Sequence, residues 1–195
     1  MSKIAVLITT FLRDSLAMEA INSIIKYWHP QYEIFYGNQS YKTDQERLQG
    51  FSYFSSNIND SANISSNHIH YYNLPFDCGL SYARNFLVSK AHERNCKYCL
   101  LMADSLHVNN KYDFTNLIAF LEQNANAGII GLNINNRVAW EYDLELVPGQ
   151  HFLLKKPRRE KIVFNDISFQ PVDICRNFFL AKTKCLLENQ WDDTL

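Results

Sequence analysis

"KIAVLITTFLRDSLAMEAINSIIKYWHPQYEIFYGNQS", residues 3–40, decides the fold. It opens on a continuous apolar run, Ile4 to Ile8, that closes on Thr9 and Thr10. That is the pattern of a strand covered on both faces, as in a parallel sheet. Ala17, Ala20, Ile21, Ile24, Ile25 and Trp28 then recur at helical spacing, with Asp14 or Ser15 placed to cap and Pro30 to stop the helix. "YEIFYGNQS" is a second strand ending in a polar turn. Strand, helix and strand in this order make a βαβ unit, which implies a right-handed crossover.

The alternation continues outward. "HIHYYNLP" (68–75) and "KYCLLMADS" (97–105) read as strands. "GLSYARNFLVSKAHERN" (79–95) reads as a helix with Leu80, Ala83, Leu87 and Ala91 along one side, and "KYDFTNLIAFLEQNAN" (111–126) as the next. A short helix is expected at 42–54 and a Ser- and Asn-rich surface loop at 55–67. Strands around a turn are expected over 127–146, then strand patterns and a final helix near 180–188. The basic run "KKPRRE" (155–160) reads as a solvated loop. The fold class is α/β, with a mostly parallel sheet and helices on both faces. Ligands of such sheets bind beyond the carboxyl ends of the strands. Three ends carry polar clusters: Thr9-Thr10, Asn38-Gln39-Ser40 and Asp104-Ser105.

Composition narrows the function. With 19 Lys and Arg against 20 Asp and Glu, the net charge of -1 gives no footprint for nucleic acid or an anionic membrane. No apolar run approaches the roughly 20 residues of a membrane span, and the start lacks a signal-peptide layout. A cytoplasmic protein is expected. The five Cys are odd in number and scattered, which suits reduced thiols. Cys96-x-x-Cys99 leads into a strand and has no second pair, so it reads as structural. His68-x-His70 lacks a third ligand nearby and reads as ordinary strand.

"ITTFLRDSLAMEAINSI" (8–24) resembles the opening of family-2-type glycosyltransferases of the GT-A fold, nearest the branch of β-1,4-N-acetylgalactosaminyltransferases. Four further segments fall in that family's order. They are "YEIFYGNQS" at its acidic strand end, "LPFDCGLSYARNFLVSKA" at its Gly-x-x-x-x-Arg-Asn helix, "YCLLMADS" at its Asp-x-Asp strand, and "VDICRNFFLAKTKCLLENQWDD" at its Asn-Phe-Phe-Leu-Ala and Trp-Asp segment. The resemblance implies one GT-A domain over 1–195, with a nucleotide-sugar half at about 1–108 and an acceptor-side half at about 109–195. It implies transfer of a hexose or N-acetylhexosamine from a UDP-sugar to a glycan acceptor, with inversion. Thr9, Thr10, Phe11 and Arg13 would line the donor site, Asn38 and Gln39 would meet the nucleoside, and Arg84 and Asn85 the diphosphate. Asp104 would hold Mn²⁺ or Mg²⁺, with His107 as a candidate second ligand that strand alternation would turn the other way.

Three features depart from the pattern of the family it resembles. Amides stand at 38 and 39 where the family has carboxylates. Met102 and Ala103 leave Asp104 as the lone acid of its motif. The acidic motif that supplies the family's general base is absent after "NQWDDTL", so either Asp192 or Asp193 takes that role or the chain is C-terminally incomplete. A degenerate GT-A domain that binds nucleotide-sugar or glycan without turnover is the competing expectation. A nucleotidylyltransferase would need a Gly-rich phosphate loop that "TTFLRDS" lacks.

Overall fold

The computed structural model describes residues 3–28, 32–58, 68–132, 144–146, 153–155, 160–172, 175 and 177–194. Two compact units divide the chain: residues 1–112 with 181–195, and residues 113–180.

The first unit is built on the expected βαβ start. Strand β1 (Ile4–Thr10) buries Ile4 to Ile8 completely or nearly so, and helix α1 (Asp14–Trp28) buries Ala17, Met18, Ala20, Ile21, Ile24, Ile25 and Trp28. Each large apolar side chain among them contributes about 1.5–3 kcal/mol by leaving water, which is what fixes the helix phase. Strand β2 (Tyr32–Asn38) is buried throughout. Helix α2 (Asp44–Asn57) starts on a capping box: the Thr43 hydroxyl accepts the Glu46 amide, and the Glu46 carboxylate accepts the Thr43 amide. The amides of Thr43 and Lys42, both donating to this carboxylate, hold the Glu46 carboxyl below its ordinary range. The aromatic ring of Tyr41 packs against Gly50, where any side chain would collide with it.

Strand β3 (Ile69–Asn73) leads to helix α3 (Gly79–Glu93), which Gly79 enters at a φ of 82°. Its buried side is Ala83, Leu87, Val88 and Ala91. Leu80, expected on that side, is 45% exposed, because the first turn stands clear of the sheet. Strand β4 (Tyr98–Ala103) completes a parallel order β3-β2-β1-β4. The register sets Thr10 beside Asn38, Thr9 beside Ala103, and Asn38 beside Asn73. All the polar strand ends therefore emerge together at one edge. At the amino ends lies a separate ionic cluster. Buried Glu33 accepts from Lys3 at 2.8 Å, Arg94 at 2.9 Å and His70 at 3.1 Å. Burial alone would push the Glu33 carboxyl up, but the three donors together hold it at about 2. His70 thus serves the sheet, as a strand residue.

In the second unit, helix α4 (Thr115–Gln123) is shorter than the expected 111–126. Its start is set by Asp113, whose carboxylate accepts both the amide and the hydroxyl of Thr115. Strands β5 (Ile129–Gly131), β6 (Leu144–Leu146) and β7 (Leu153–Lys155) follow, β6 and β7 antiparallel. Strands β8 (Ile162–Phe164) and β9 (Ile167–Phe169) form a hairpin. Its two-residue turn is Asn165-Asp166, both at positive φ, the twist that suits a tight hairpin. Phe120 stacks on Phe169 at 3.9 Å and meets the edge of Phe164.

Strand β10 (Phe179–Lys182) brings the chain back to the first unit, where helix α5 (Thr183–Glu188) lies along α3. The Thr183 hydroxyl donates to the Cys96 carbonyl at 2.7 Å and lies 3.3 Å from the Cys99 thiol. Burial pushes the Cys96 thiol up to about 11 and Cys99 to about 12, so the CxxC pair is structural. All five cysteines are free. No helix among the described residues is long and apolar enough to cross a membrane. Most of the expected 55–67 loop and of the "KKPRRE" run lies outside the described residues.

Candidate active site

The site is the polar edge formed by the carboxyl ends of β1, β2 and β4, with the first turns of α1 and α3. Asp104, the residue after β4, is 1% exposed. Its Oδ2 accepts the Thr10 hydroxyl at 2.9 Å, and its Oδ1 accepts Arg13 Nη2 at 2.6 Å. Thr10, Arg13 and Asp104 are thus one constellation. The sequence points to all three, but not to the first two occupying the third.

The turn that delivers Arg13 is strained and braced. Leu12 takes a φ of 57°, a left-handed conformation that costs an L-residue roughly 1–2 kcal/mol. Its amide donates to the Ser40 hydroxyl at 2.7 Å, which ties the β1–α1 turn to the end of β2. The Arg13 carbonyl accepts the Ala17 amide at 3.1 Å, so Arg13 opens the helix and Asp14 is its first residue. The Asp14 carboxylate does not cap. It accepts Asn38 Nδ2 at 2.6 Å and the hydroxyls of Tyr36 and Tyr41. Burial pushes both phenols well up, with Asp14 adding to the effect.

Asn38 is consumed by this network. Its amide nitrogen serves Asp14 and the Tyr36 hydroxyl, and its oxygen accepts the Ser40 amide at 2.9 Å. Gln39 braces the opposite loop: its Oε1 accepts the Gly79 amide at 3.0 Å, and its backbone bonds both Thr10 and Asp77. Thr9 is half-buried beside them. Phe11, also half-buried, meets the edge of Phe76 at 5.4 Å, and Lys42 Nζ stands 4.4 Å from the centre of the Phe76 ring. Lys42, Phe76, Ser40, Tyr41 and Asp14 all belong to the network, although the sequence did not assign them to the site. The polar strand end at 38–40 was the only signal for this group.

Arg84 and Asn85 lie in the second turn of α3, and both turn toward the C-terminal segment. Arg84 is half-buried over the Trp191 ring at 5.4 Å. Burial lowers its affinity for the proton, and it makes no ion pair among the described residues. Asn85 clasps Trp191, donating to its carbonyl at 2.8 Å and accepting its amide at 3.1 Å. Exposed Asp192 accepts the Thr194 hydroxyl at 2.6 Å and its amide at 3.0 Å, which holds its carboxyl below the ordinary range and makes it a weaker base. Among the described residues, exposed Asp193 has only a long contact of 3.4 Å, to Asn85.

Mg²⁺ takes one or two carboxylates, with waters and substrate phosphates completing its six oxygens. Around Asp104 both carboxylate oxygens already hold donors, one of them a cation. No group of three His, Cys, Asp or Glu among the described residues is arranged to hold a metal. His107 faces Glu19 at 3.7 Å. As they stand, the described residues at Asp104 offer Mn²⁺ or Mg²⁺ no carboxylate oxygen free of a donor, and on that ground do not fit it.

No protein-family model matches the sequence. No curated protein matches it either. Solved structures do match. The crystal structure of S. aureus TarS 1-349 is 17% identical with a TM-score of 0.57, covering 99% of this chain and 51% of that one. TarS 1-349 in complex with UDP is 18% identical with a TM-score of 0.55, at the same coverage. A mannosyltransferase from Pyrobaculum calidifontis, in complex with GDP-Man and Mn²⁺, is 11% identical with a TM-score of 0.48, covering 67% of this chain and 35% of that one. This chain thus spans about half the length of TarS 1-349. The shared core is the GT-A fold, an α/β arrangement with a mostly parallel sheet, as the sequence analysis expected.

Proposed function

We propose that this GT-A chain is a glycosyltransferase that takes a hexose or N-acetylhexosamine from a UDP-sugar and passes it to a glycan acceptor with inversion. The observation that carries the reading is the constellation of Thr10, Arg13 and Asp104 where the carboxyl ends of β1 and β4 meet. Parallel α/β sheets bind their ligands at this edge. The shared fold with TarS, a protein seen in complex with UDP, supports a UDP-sugar as donor.

The chain's own residues divide the work. Arg13 and Arg84 supply positive charge for a diphosphate, and a guanidinium can meet a phosphate through two parallel hydrogen bonds. Phe11 and Phe76 supply apolar surface for a planar base. Asn38 and Gln39 act at one remove, fixing the loops that carry Ser40 and Gly79 rather than offering their amides to the nucleoside. Of the two terminal acids, Asp193 is the better acceptor-side base, since the Asp192 carboxylate is taken up by Thr194.

A panel of UDP-sugars with oligosaccharide acceptors, followed by UDP release, tests the reading. Turnover of a UDP-hexose or UDP-N-acetylhexosamine is expected, and its absence together with absent UDP binding would refute it. UDP binding with neither transfer nor donor hydrolysis would instead support the second reading, a GT-A domain without turnover. That reading is favoured by the Asp104 carboxylate, both of whose oxygens are already occupied.

A further inference from the structure

We infer that Arg13, held by Asp104, is the cation that receives the donor diphosphate, so that donor binding needs no divalent metal. The inference rests on the donor-binding reading above and extends it. Asp104 is buried, with Thr10 on one oxygen and Arg13 on the other. A metal ion on this carboxylate would have to displace the guanidinium or share an oxygen with it, against its charge. The side chain of Arg13 remains 55% exposed. Apart from Nη2, its N–H groups make no hydrogen bond among the described residues. Its fork is thus anchored at one nitrogen and open at the others, at the edge where an α/β sheet binds its ligand.

Charge accounting agrees. A pair of acids holding a divalent ion sums to zero, and so does one acid holding one guanidinium. Met102 and Ala103 precede Asp104, so a single acid stands at this strand end for the single guanidinium to balance. The Arg13 backbone is fixed as well, by the Leu12–Ser40 bond before it and the bond from Ala17 after it. Asp104 is then a positioning residue that aims the arginine.

The test is calorimetric titration of UDP into the whole chain, in EDTA and again with Mn²⁺, on wild type, Arg13→Gln, Arg13→Lys and Asp104→Asn. Wild-type affinity is expected to agree within about twofold between the two buffers, since no metal contact is gained. Arg13→Gln should weaken binding about tenfold or more in both, a charge-assisted bidentate contact being lost. Arg13→Lys should recover part of it, because Lys keeps the charge but not the fork. Asp104→Asn should weaken binding by a smaller factor, equally in both buffers. Circular dichroism melts identify which variants are folded, and Arg13→Lys, which keeps the ion pair, is the one to read if Arg13→Gln melts early. Binding that requires Mn²⁺, or an Mn²⁺ enhancement that Asp104→Asn removes, would overturn the inference and leave UDP binding standing. Wild-type affinity in both Arg13 variants would overturn it too. A wild-type chain that binds no UDP in either buffer would fail the donor-binding reading itself, and the inference with it.

Discussion

Asn85→Ala separates two roles that the sequence alone could not. As a donor contact, Asn85 should matter for UDP affinity and little for stability. The structure instead makes it a clasp on Trp191, with bonds of 2.8 and 3.1 Å to that residue's carbonyl and amide. The 3.4 Å contact with Asp193 is too long to count. Two neutral hydrogen bonds are worth about 1–3 kcal/mol net. Water reaches the neighbouring exposed residues 192–194 and will replace part of that, so the lower half applies. Releasing Trp191 also frees it from Arg84, a cation–π contact worth about 0.5–1 kcal/mol at a partly exposed site. The sum is about 2 kcal/mol, or roughly thirtyfold in the opening equilibrium of residues 190–194. Hydrogen exchange at the Trp191 amide is the direct assay. The reasoning predicts faster exchange there by about that factor, with little change in the β1–β4 sheet. Unchanged Trp191 exchange, with UDP affinity lost, would refute the clasp and restore Asn85 to the donor.

Two further outcomes follow from buried titratable groups. Glu33 is depressed from an ordinary 4.5 to about 2, so its contribution is present above pH 4.5 and is lost as pH falls toward 2. The full shift corresponds to about 3 kcal/mol, and Glu33→Gln should flatten the acid limb of stability measured by urea titration between pH 5 and 2. An acid limb as steep as wild type would refute the Lys3–Arg94–His70 cage. For the thiols, a disulfide reagent at pH 8 should label Cys78, Cys175 and Cys185 in the folded chain long before Cys96 and Cys99, whose burial pushes them up to about 11 and 12. Mass mapping of labelled peptides checks the order, and early labelling of Cys99 would mean the start of β4 opens.

The sheet was readable because its signals are local. An apolar run as short as Ile4–Ile8, closed by two threonines, suits a buried strand by its length, and the spacing from Ala17 to Trp28 fixes a helix face by itself. The polar strand ends could also be found, because residues without apolar partners must go to an edge. What each polar group does there was not legible. Asp104 is far from Thr10 and Arg13 in sequence, and nothing in "TTFLRDS" says that its arginine turns onto a strand end ninety-one residues later. Asn85 looked like a ligand contact for the same reason, since its partner Trp191 lies 106 residues on. Leu80 failed differently: helical spacing assigns a face, but not where along the helix that face leaves the sheet.

The amide at position 38 has a physical reason in the network around it. A carboxylate there would face Asp14 Oδ1, which Asn38 Nδ2 now meets at 2.6 Å. Two carboxylates at that distance cannot both ionise, so one would keep a proton far above the usual range. The Asn38→Asp change should therefore destabilise the chain by about 2 kcal/mol or more at pH 7. The bond from the Ser40 amide survives, because an aspartate oxygen accepts it equally well. What is lost is the donor to Asp14 and to the Tyr36 hydroxyl. The sign with pH follows from the shared proton: the deficit is largest where both acids should be ionised and shrinks as pH falls from 7 to 5. Denaturant melts of both chains at the two pH values measure it. A variant as stable as wild type at pH 7 would mean that Asp14 is not the partner of Asn38. The amide would then be available for a nucleoside after all.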